Sequence, residues 1–346
     1  MEKIDFLIVG QGLAGSILAF ELIKRGHTIA VIDPVIENTS SNKAAGLYNP
    51  ITGRNLVKTW LADELFANLG KYYRQLESEL DTTFHKSLPI YRPFHSTEEL
   101  NDWMGKEKDE IYREYVSGVE SSSIGLSGLQ DYAGGLLIKN SGYVNLPGML
   151  EAFRSYFLSL GVFHRENLSP AELEFGHEVI YKNIEAKKII FCEGPRALDN
   201  HWWSALPFNL IRGEVINIKC NLPADKIYNR GVFMLPKDGC FRVGSTYDHD
   251  NLTYKPQQSG ITELERRLKK LYTDTYEISS VSAGVRPTTN DRRPYIGWHP
   301  ENKAVGIFNG FGTKGVSLVP YFSKLFVDSI EGKAKVHVEA DVSRVF

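Results

Sequence analysis

The 346-residue chain is 42% hydrophobic and 12% aromatic, enough for one large α/β domain or two interleaved ones around a well-buried core. A formal net charge of −2 gives no overall bias toward a polyanion, although a local basic patch can hide within that balance. Cys192, Cys220 and Cys240 lie in or beside apolar runs and form no CxxC pair, which points to buried thiols in a reducing compartment rather than a metal site or disulfide framework.

The first element is "DFLIVGQGLAG", a buried strand from Ile4 to Val9 followed by Gly10-x-Gly12-x-x-Gly15 and a helix that runs through Leu18 and Leu22 to Gly26. Lys3 and the apolar run to Phe20 superficially resemble a signal peptide. Gln11 and three glycines interrupt that run, charged Glu21, Lys24 and Arg25 follow it, and a membrane span needs about 20 apolar residues. The expectation is a cytoplasmic chain without a membrane anchor. A second strand, "HTIAVID", ends at Asp33. Strand, glycine turn, helix, strand and acid at a spacing of about 20 residues form the dinucleotide-binding pattern. Gly10 allows the tight turn, Gly12 lets backbone N–H groups approach a pyrophosphate, and Gly15 brings the helix close to the sheet, so Leu13 and Ala14 join the expected cofactor contacts. Asp33 can accept both hydroxyls of an adenosine ribose, and no neighbouring arginine favours NADP over FAD or NAD.

A small, polar loop, "ENTSSNKAAGLYNPITGRNLVKTW", follows Asp33 where an NAD enzyme would continue with short βα units. It can thread under an extended cofactor and present Ser41, Ala44, Ala45, Gly46 and Leu47, or it can be an ordinary surface loop. Leu61, Leu65, Leu69, Tyr72, Leu76 and Leu80 then mark one amphipathic helix. The segment from Leu88 to Lys139 reads as irregular and strand-poor, and "GYVNLPGMLEAFRSYFLSLGV" as a helix with Pro147 near its start and Gly161 at its end. Short strands follow, among them "VFHRENL" and "KKIIFCEG", with Leu168 and Gly194 as further cofactor candidates. "LIRGEVINIKC", "RGVFMLP" and "CFRVGSTY" suggest a mainly antiparallel sheet, closed by a helix from Ser259 to Tyr272.

The end of the chain repeats the glycine signal. A strand from Ala304 to Phe308 leads into Gly310-x-Gly312-x-x-Gly315 and an amphipathic helix, with Glu331 placed before an expected final short strand. That order does not make a second dinucleotide fold. A helix N-terminus whose free N–H groups stabilise an anion is the better use.

These motifs, with "IIFCEG", "RGEVINI", "FRVGSTY", "GVRPTTNDRRPYIG" and "GFGTKGVSLVPY" in this order, resemble the FAD-dependent D-amino-acid oxidase superfamily, most closely its glycine oxidase and sarcosine oxidase branch. The chain also looks like the oxidase half of the bifunctional enzyme that trims carboxymethylaminomethyl-uridine in tRNA. The resemblance spans nearly the whole chain and is weakest from Leu80 to Lys139. It implies an α/β fold: a Rossmann-like FAD-binding domain from 1–70, 141–205 and 282–346, and an α+β substrate domain on a mainly antiparallel sheet from 71–140 and 206–281.

The resemblance also implies oxidation of a small amino acid or secondary amine bearing a carboxylate. Hydride would pass to flavin N5, and O2 or another acceptor would reoxidise the flavin. Arg286 would clamp the substrate carboxylate, Gly312, Thr313, Lys314, Gly315 and Val316 would face the flavin, and Tyr247 would join Arg286 and Lys314 at the catalytic end. Lys314 can equally be a surface lysine, and Arg292 and Arg293 read as solvated. Phe233 stands where relatives can place a tyrosine hydroxyl, and Thr313 and Lys314 replace an arginine-containing turn, which puts glycine itself in doubt as the substrate. With no cysteine in "GFGTKG" or "GVRP", non-covalent FAD is expected. A tRNA partner lacks support from the overall charge, and a non-catalytic flavin-binding scaffold is the remaining alternative.

Overall fold

The computed structural model describes residues 1–53, 56–106 and 110–346. Two large sheets organise it. The first has a parallel centre: Phe163–His164, Ile29–Ile32, Glu2–Val9 and Ile184–Phe191 lie side by side in that order. The outer edge of Ile184–Phe191 is shared, since its first half pairs antiparallel with Val179–Tyr181 and its second half pairs parallel with Val305–Asn309. Strands covered on both faces must be apolar throughout, and Ile29–Ile32 and Val305–Asn309 are buried at every residue. From Glu2–Val9 the chain moves to one side of the sheet and later returns to the other, so the crevice that such a reversal opens lies at the C-terminal end of this strand, where Gly10 begins.

Helices Leu13–Lys24, Leu146–Ser159 and Gly315–Ile330 share one core, in which Ile17 and Phe20 join Phe153, Phe157, Val319 and Phe322. The last helix contains Pro320, which has no N–H to give the carbonyl of Val316 one turn earlier. The hydroxyl of Tyr73, fully buried on the helix Leu69–Glu79, donates to that carbonyl at 2.7 Å instead.

The second sheet orders its strands as Glu277–Arg286, Ile211–Lys219, Cys240–Gly244, Val232–Lys237, Ile227–Arg230, Ile90–Pro93, Gly135–Ile138 and Val116–Glu120. All its pairings are antiparallel except that between Ile227–Arg230 and Ile90–Pro93. Helix Gln258–Leu268 covers one face through Leu264 and Leu268. The other face looks toward the crevice of the first sheet.

Several expectations need correction. The region from Leu88 to Lys139 supplies three strands of the second sheet, a signal obscured because these strands are only four or five residues long. The amphipathic run beginning at Leu61 forms two helices, Ala62–Phe66 and Leu69–Glu79, interrupted at Ala67 and Asn68. The strand expected in "VFHRENL" is limited to Phe163–His164, and the chain closes in a 3-10 turn, Val342–Val345, instead of a strand. Strand Glu277–Arg286 pairs with Ile211–Lys219 from end to end, so a division at 282 would cut one strand. We propose that the two sheets mark two domains and that this boundary lies after Arg286. Among the described residues no helix is long and apolar enough to cross a membrane.

Candidate active site

The first glycine turn is built by close contacts that only glycine permits. Gly10 has φ +101°, and a Cβ there would lie 2.7 Å from the carbonyl oxygen of Cys192. A Cβ on Gly15 would lie 1.8 Å from the Gly10 carbonyl oxygen, so this glycine sets how closely the helix approaches the turn. Gly12 differs, because a Cβ there would meet only Ser41 Oγ, at 3.3 Å. Its hydrogen faces the cavity, and as N-cap of Leu13–Lys24 it provides no side-chain cap. The Leu13 N–H donates to Ser41 Oγ at 3.1 Å, which ties the loop after Asp33 to the helix start. Asp33 accepts the Gln11 N–H at 2.7 Å and the Val35 N–H at 2.6 Å, one on each carboxylate oxygen. These bonds fix the carboxylate at the cavity wall while leaving lone pairs for a ligand.

The second glycine turn brings another helix start to the same cavity. Gly310 and Gly312 adopt φ +81° and +55°, and the helix Gly315–Ile330 begins at Lys314 with no side-chain cap. Lys314 Nζ donates to Thr59 Oγ1 at 3.3 Å. Burial, reinforced by Arg292 and Arg293, pulls the Lys314 pKa below the usual lysine value. Beside Gly312, Thr288 Oγ1 is buried without a hydrogen-bond partner among the described residues, and Thr288 lines the cavity.

Arg286 ends its strand on the cavity face of the second sheet. One terminal nitrogen donates to Ser245 Oγ at 2.6 Å, the other to the Thr246 carbonyl at 3.4 Å, and the guanidinium lies 5.2 Å from the centre of the Tyr247 ring. The side chain can lie along the sheet because Gly213 is beneath it: a Cβ there would be 2.3 Å from the guanidinium. Burial lowers its pKa, against the raising effects of Tyr247 and Glu214. Glu214 itself is committed elsewhere. It pairs with fully buried Arg212 at 2.5 Å and accepts from the Thr246 hydroxyl. No Asp or Glu among the described residues forms an ion pair with Arg286. A desolvated guanidinium that faces a cavity without a carboxylate is poised for an anionic ligand.

Both helix starts and Arg286 open onto one cavity of about 1380 Å³. Ordinary small-molecule pockets occupy roughly 300–1,000 Å³, so there is room for an extended dinucleotide and a substrate beyond it. Gly10, Gly12, Leu13, Ala14, Asp33, Ser41, Ala44, Ala45, Gly46, Leu47, Leu168 and Gly194 line it at the first turn and along the loop. Tyr247, Arg286, Gly312, Thr313, Lys314, Gly315 and Val316 line the other end. Gly15 does not line it and acts in the packing of the turn. Sequence reasoning missed Gly213, Ser245, Thr246 and Thr288, whose roles depend on pairing between strands. No sequence signal marked them, since the pairing of Gly213 with Gly284 exists only in the register of the folded strands. Arg293, expected in solvent, pairs with Glu339 at 2.8 Å and lies over the Trp60 ring at 4.1 Å.

Cations outnumber acids in the cavity lining despite the net charge of −2, although Lys43, Arg92 and Arg293 pair with Glu37, Glu99 and Glu339. Lys43, Arg92, Arg196, Arg230, Arg267, Arg286, Arg292, Arg293 and Lys314 line it, against the carboxylates of Asp33 and Glu193. The residues present fit FAD. Gly12 leaves room for a pyrophosphate beside an uncapped helix start, Asp33 presents acceptors, and a second uncapped helix start lies at the opposite end.

Such a switch-point crevice with a glycine turn and an acid defines a dinucleotide-dependent enzyme. Residues 5–329 match the family described as DAO, FAD dependent oxidoreductase, and the chain belongs to that family. It is similar to glycine oxidase of Geobacillus kaustophilus, with 24% identity over 96% of this chain and 94% of the relative. It is also similar to the tRNA 5-methylaminomethyl-2-thiouridine biosynthesis bifunctional protein of Legionella pneumophila, with 26% identity over 84% of this chain but only 45% of that protein. The crystal structure of the Geobacillus kaustophilus glycine oxidase superposes with a TM-score of 0.79 at 21% identity, covering 96% of both chains. Iminodiacetate oxidase from Chelativorans sp. BNC1 gives 0.79 at 20% identity, covering 96% of this chain and 97% of that one.

Proposed function

We propose that this FAD-dependent oxidoreductase oxidises the C–N bond of a small amino acid or secondary amine bearing a carboxylate, with FAD held non-covalently and O2 or another acceptor completing the cycle. The observation that carries this reading is Arg286, desolvated at the cavity wall and held by Ser245, Thr246 and Tyr247 without a carboxylate partner. When bound, FAD supplies a two-electron oxidant that takes a hydride from the carbon beside the nitrogen, and water then hydrolyses the imine product. Arg286 grips the carboxylate through its planar fork and so orients the neighbouring C–H. The helix start at Gly315 has N–H groups and a positive end that would stabilise negative charge on a bound flavin. Lys314 stands at that start, with a proton that burial makes easier to lose. Non-covalent binding is supported by the cysteines: Cys192 lines the cavity only at the first glycine turn, against Gly10 and Gly15, and Cys220 and Cys240 do not line it.

Arg286→Lys keeps the charge but loses the fork, so kcat/KM for a carboxylated amine should fall while bound flavin remains. Arg286→Ala should cost about 2–5 kcal/mol, as expected for loss of a desolvated charge pair. A matched amine without the carboxylate should lose much less in both variants. Equal losses for the two amines, or loss of flavin, would make Arg286 structural and remove support for a carboxylated substrate.

The cationic cavity favours a second reading, in which the oxidised group is carried on tRNA, as the name of the Legionella relative suggests. Turnover of carboxymethylaminomethyl-modified tRNA but not of free amines would select it.

A further inference from the structure

A second guanidinium lies beside Arg286 in the cavity wall. Arg267, on the helix Gln258–Leu268, donates to the backbone carbonyl of Ser245 at 2.9 Å, the same residue whose hydroxyl receives Arg286 at 2.6 Å. Its other terminal nitrogen donates to the Gly231 carbonyl. Arg230, 7% exposed, also lines the cavity; it donates to the carbonyls of Phe94 and Lys270 and leaves Nε buried without a partner among the described residues. Neither Arg267 nor Arg230 forms an ion pair with an Asp or Glu among the described residues. Like charges converging on Ser245 with only neutral acceptors raise the free energy of the empty cavity, and an anion placed between them relieves it.

Room for that anion exists in the cavity, which Gly213, Ser245, Arg267 and Arg286 all line. Arg286 alone satisfies one carboxylate. Arg267, which meets Ser245 at its carbonyl where Arg286 meets the hydroxyl, is a separate cation at the same residue.

We propose that Arg267, with Arg230 behind it, forms a second anion position, so that the preferred substrate is an amine bearing a second carboxylate or a phosphonate or phosphate group besides the one on Arg286. This rests on the assignment of Arg286 as the carboxylate clamp and specifies the substrate class of that same site. The second anion undergoes no chemistry; it fixes the far end of the substrate and excludes neutral side chains, which cannot replace the charge interaction.

The test has a binding arm and a turnover arm, both on the flavin-loaded protein. In the first, thiodiacetate and (methylthio)acetate, which lack the oxidisable amine, are titrated while the flavin spectrum is followed. Thiodiacetate should bind at least tenfold more tightly, and Arg267→Gln should reduce that ratio to about twofold, with Arg267→Lys in between. In the second, kcat/KM is compared for N-methylglycine, iminodiacetate and N-(phosphonomethyl)glycine. A wild-type preference for the second or third compound distinguishes carboxylate from phosphonate as the second group.

Equal binding of the two thioethers by the wild type would overturn the second anion position, as would a ratio that Arg267→Gln leaves intact. If the thioethers behave as expected but no amine is turned over, the anion position stands and the amine-oxidation reading falls. Should the Gln variant not fold, a Lys variant with an undiminished ratio would equally overturn the proposal.

Discussion

At the scale of single residues, Gly12 and Arg286 show two ways in which a side chain, or its absence, prepares a cavity. Gly12 contributes empty space. Because a Cβ there contacts only Ser41 Oγ, Gly12→Val should fold, yet its branched side chain would stand where the pyrophosphate must approach the N–H groups of the helix start. The variant should purify with flavin content reduced at least tenfold, whereas the wild type should be yellow and release intact FAD on acid denaturation. Full flavin content in folded Gly12→Val would displace the pyrophosphate from this turn. Arg286 contributes charge, and its position depends on Gly213, since any larger residue at that place would occupy the path of the guanidinium.

At the scale of elements, the last helix carries a defect that another helix repairs. Pro320 frees the Val316 carbonyl, and Tyr73 donates to it from Leu69–Glu79 at 2.7 Å in a fully buried setting. Tyr73→Phe keeps the ring but orphans that carbonyl, which should cost about 1–3 kcal/mol. A urea titration should show a lower midpoint with unchanged slope, and a midpoint equal to the wild type would mean that the carbonyl finds another donor. This bond lies one residue from Gly315, so the same variant should also lower affinity for FAD if the helix start must be held firmly against the cavity.

For the molecule as a whole, charge is distributed unevenly. A net charge of −2 coexists with a cavity wall in which lysine and arginine outnumber acids, and of these Arg196, Arg230, Arg267, Arg286, Arg292 and Lys314 form no ion pair among the described residues. A plain carboxylate such as acetate should therefore compete with the amine substrate. Its inhibition constant should rise several-fold as ionic strength increases from about 0.01 M to about 0.1 M and the Debye length shortens from about 30 Å to about 10 Å. An inhibition constant indifferent to salt would show that the cavity cations are neutralised within the fold.

The sequence by itself determined what is local. Strand Glu2–Val9, the turn at Gly10, the helix from Leu13 and the strand ending before Asp33 could be read directly, because a buried parallel strand must be apolar and a turn this tight needs glycine. The helix after Gly315 was legible for the same reasons. The strands between Ile90 and Ile138 were not, because each is only four or five residues long and is held by pairing outside itself, as when Ile90 pairs with Ile138 on one side and Ile227 on the other. The surroundings of Arg286 were also hidden: "RGEVINI", "FRVGSTY" and "SAGVR" each contain a glycine or hydroxyl of ordinary appearance. Only the register that sets Gly213 against Gly284 and brings Ser245 to the guanidinium turns them into one wall. The gathering of scattered cations into a single cleft likewise arises only when two sheets face one another, since net charge is a sum over the chain and an electrostatic field depends on where each charge is placed.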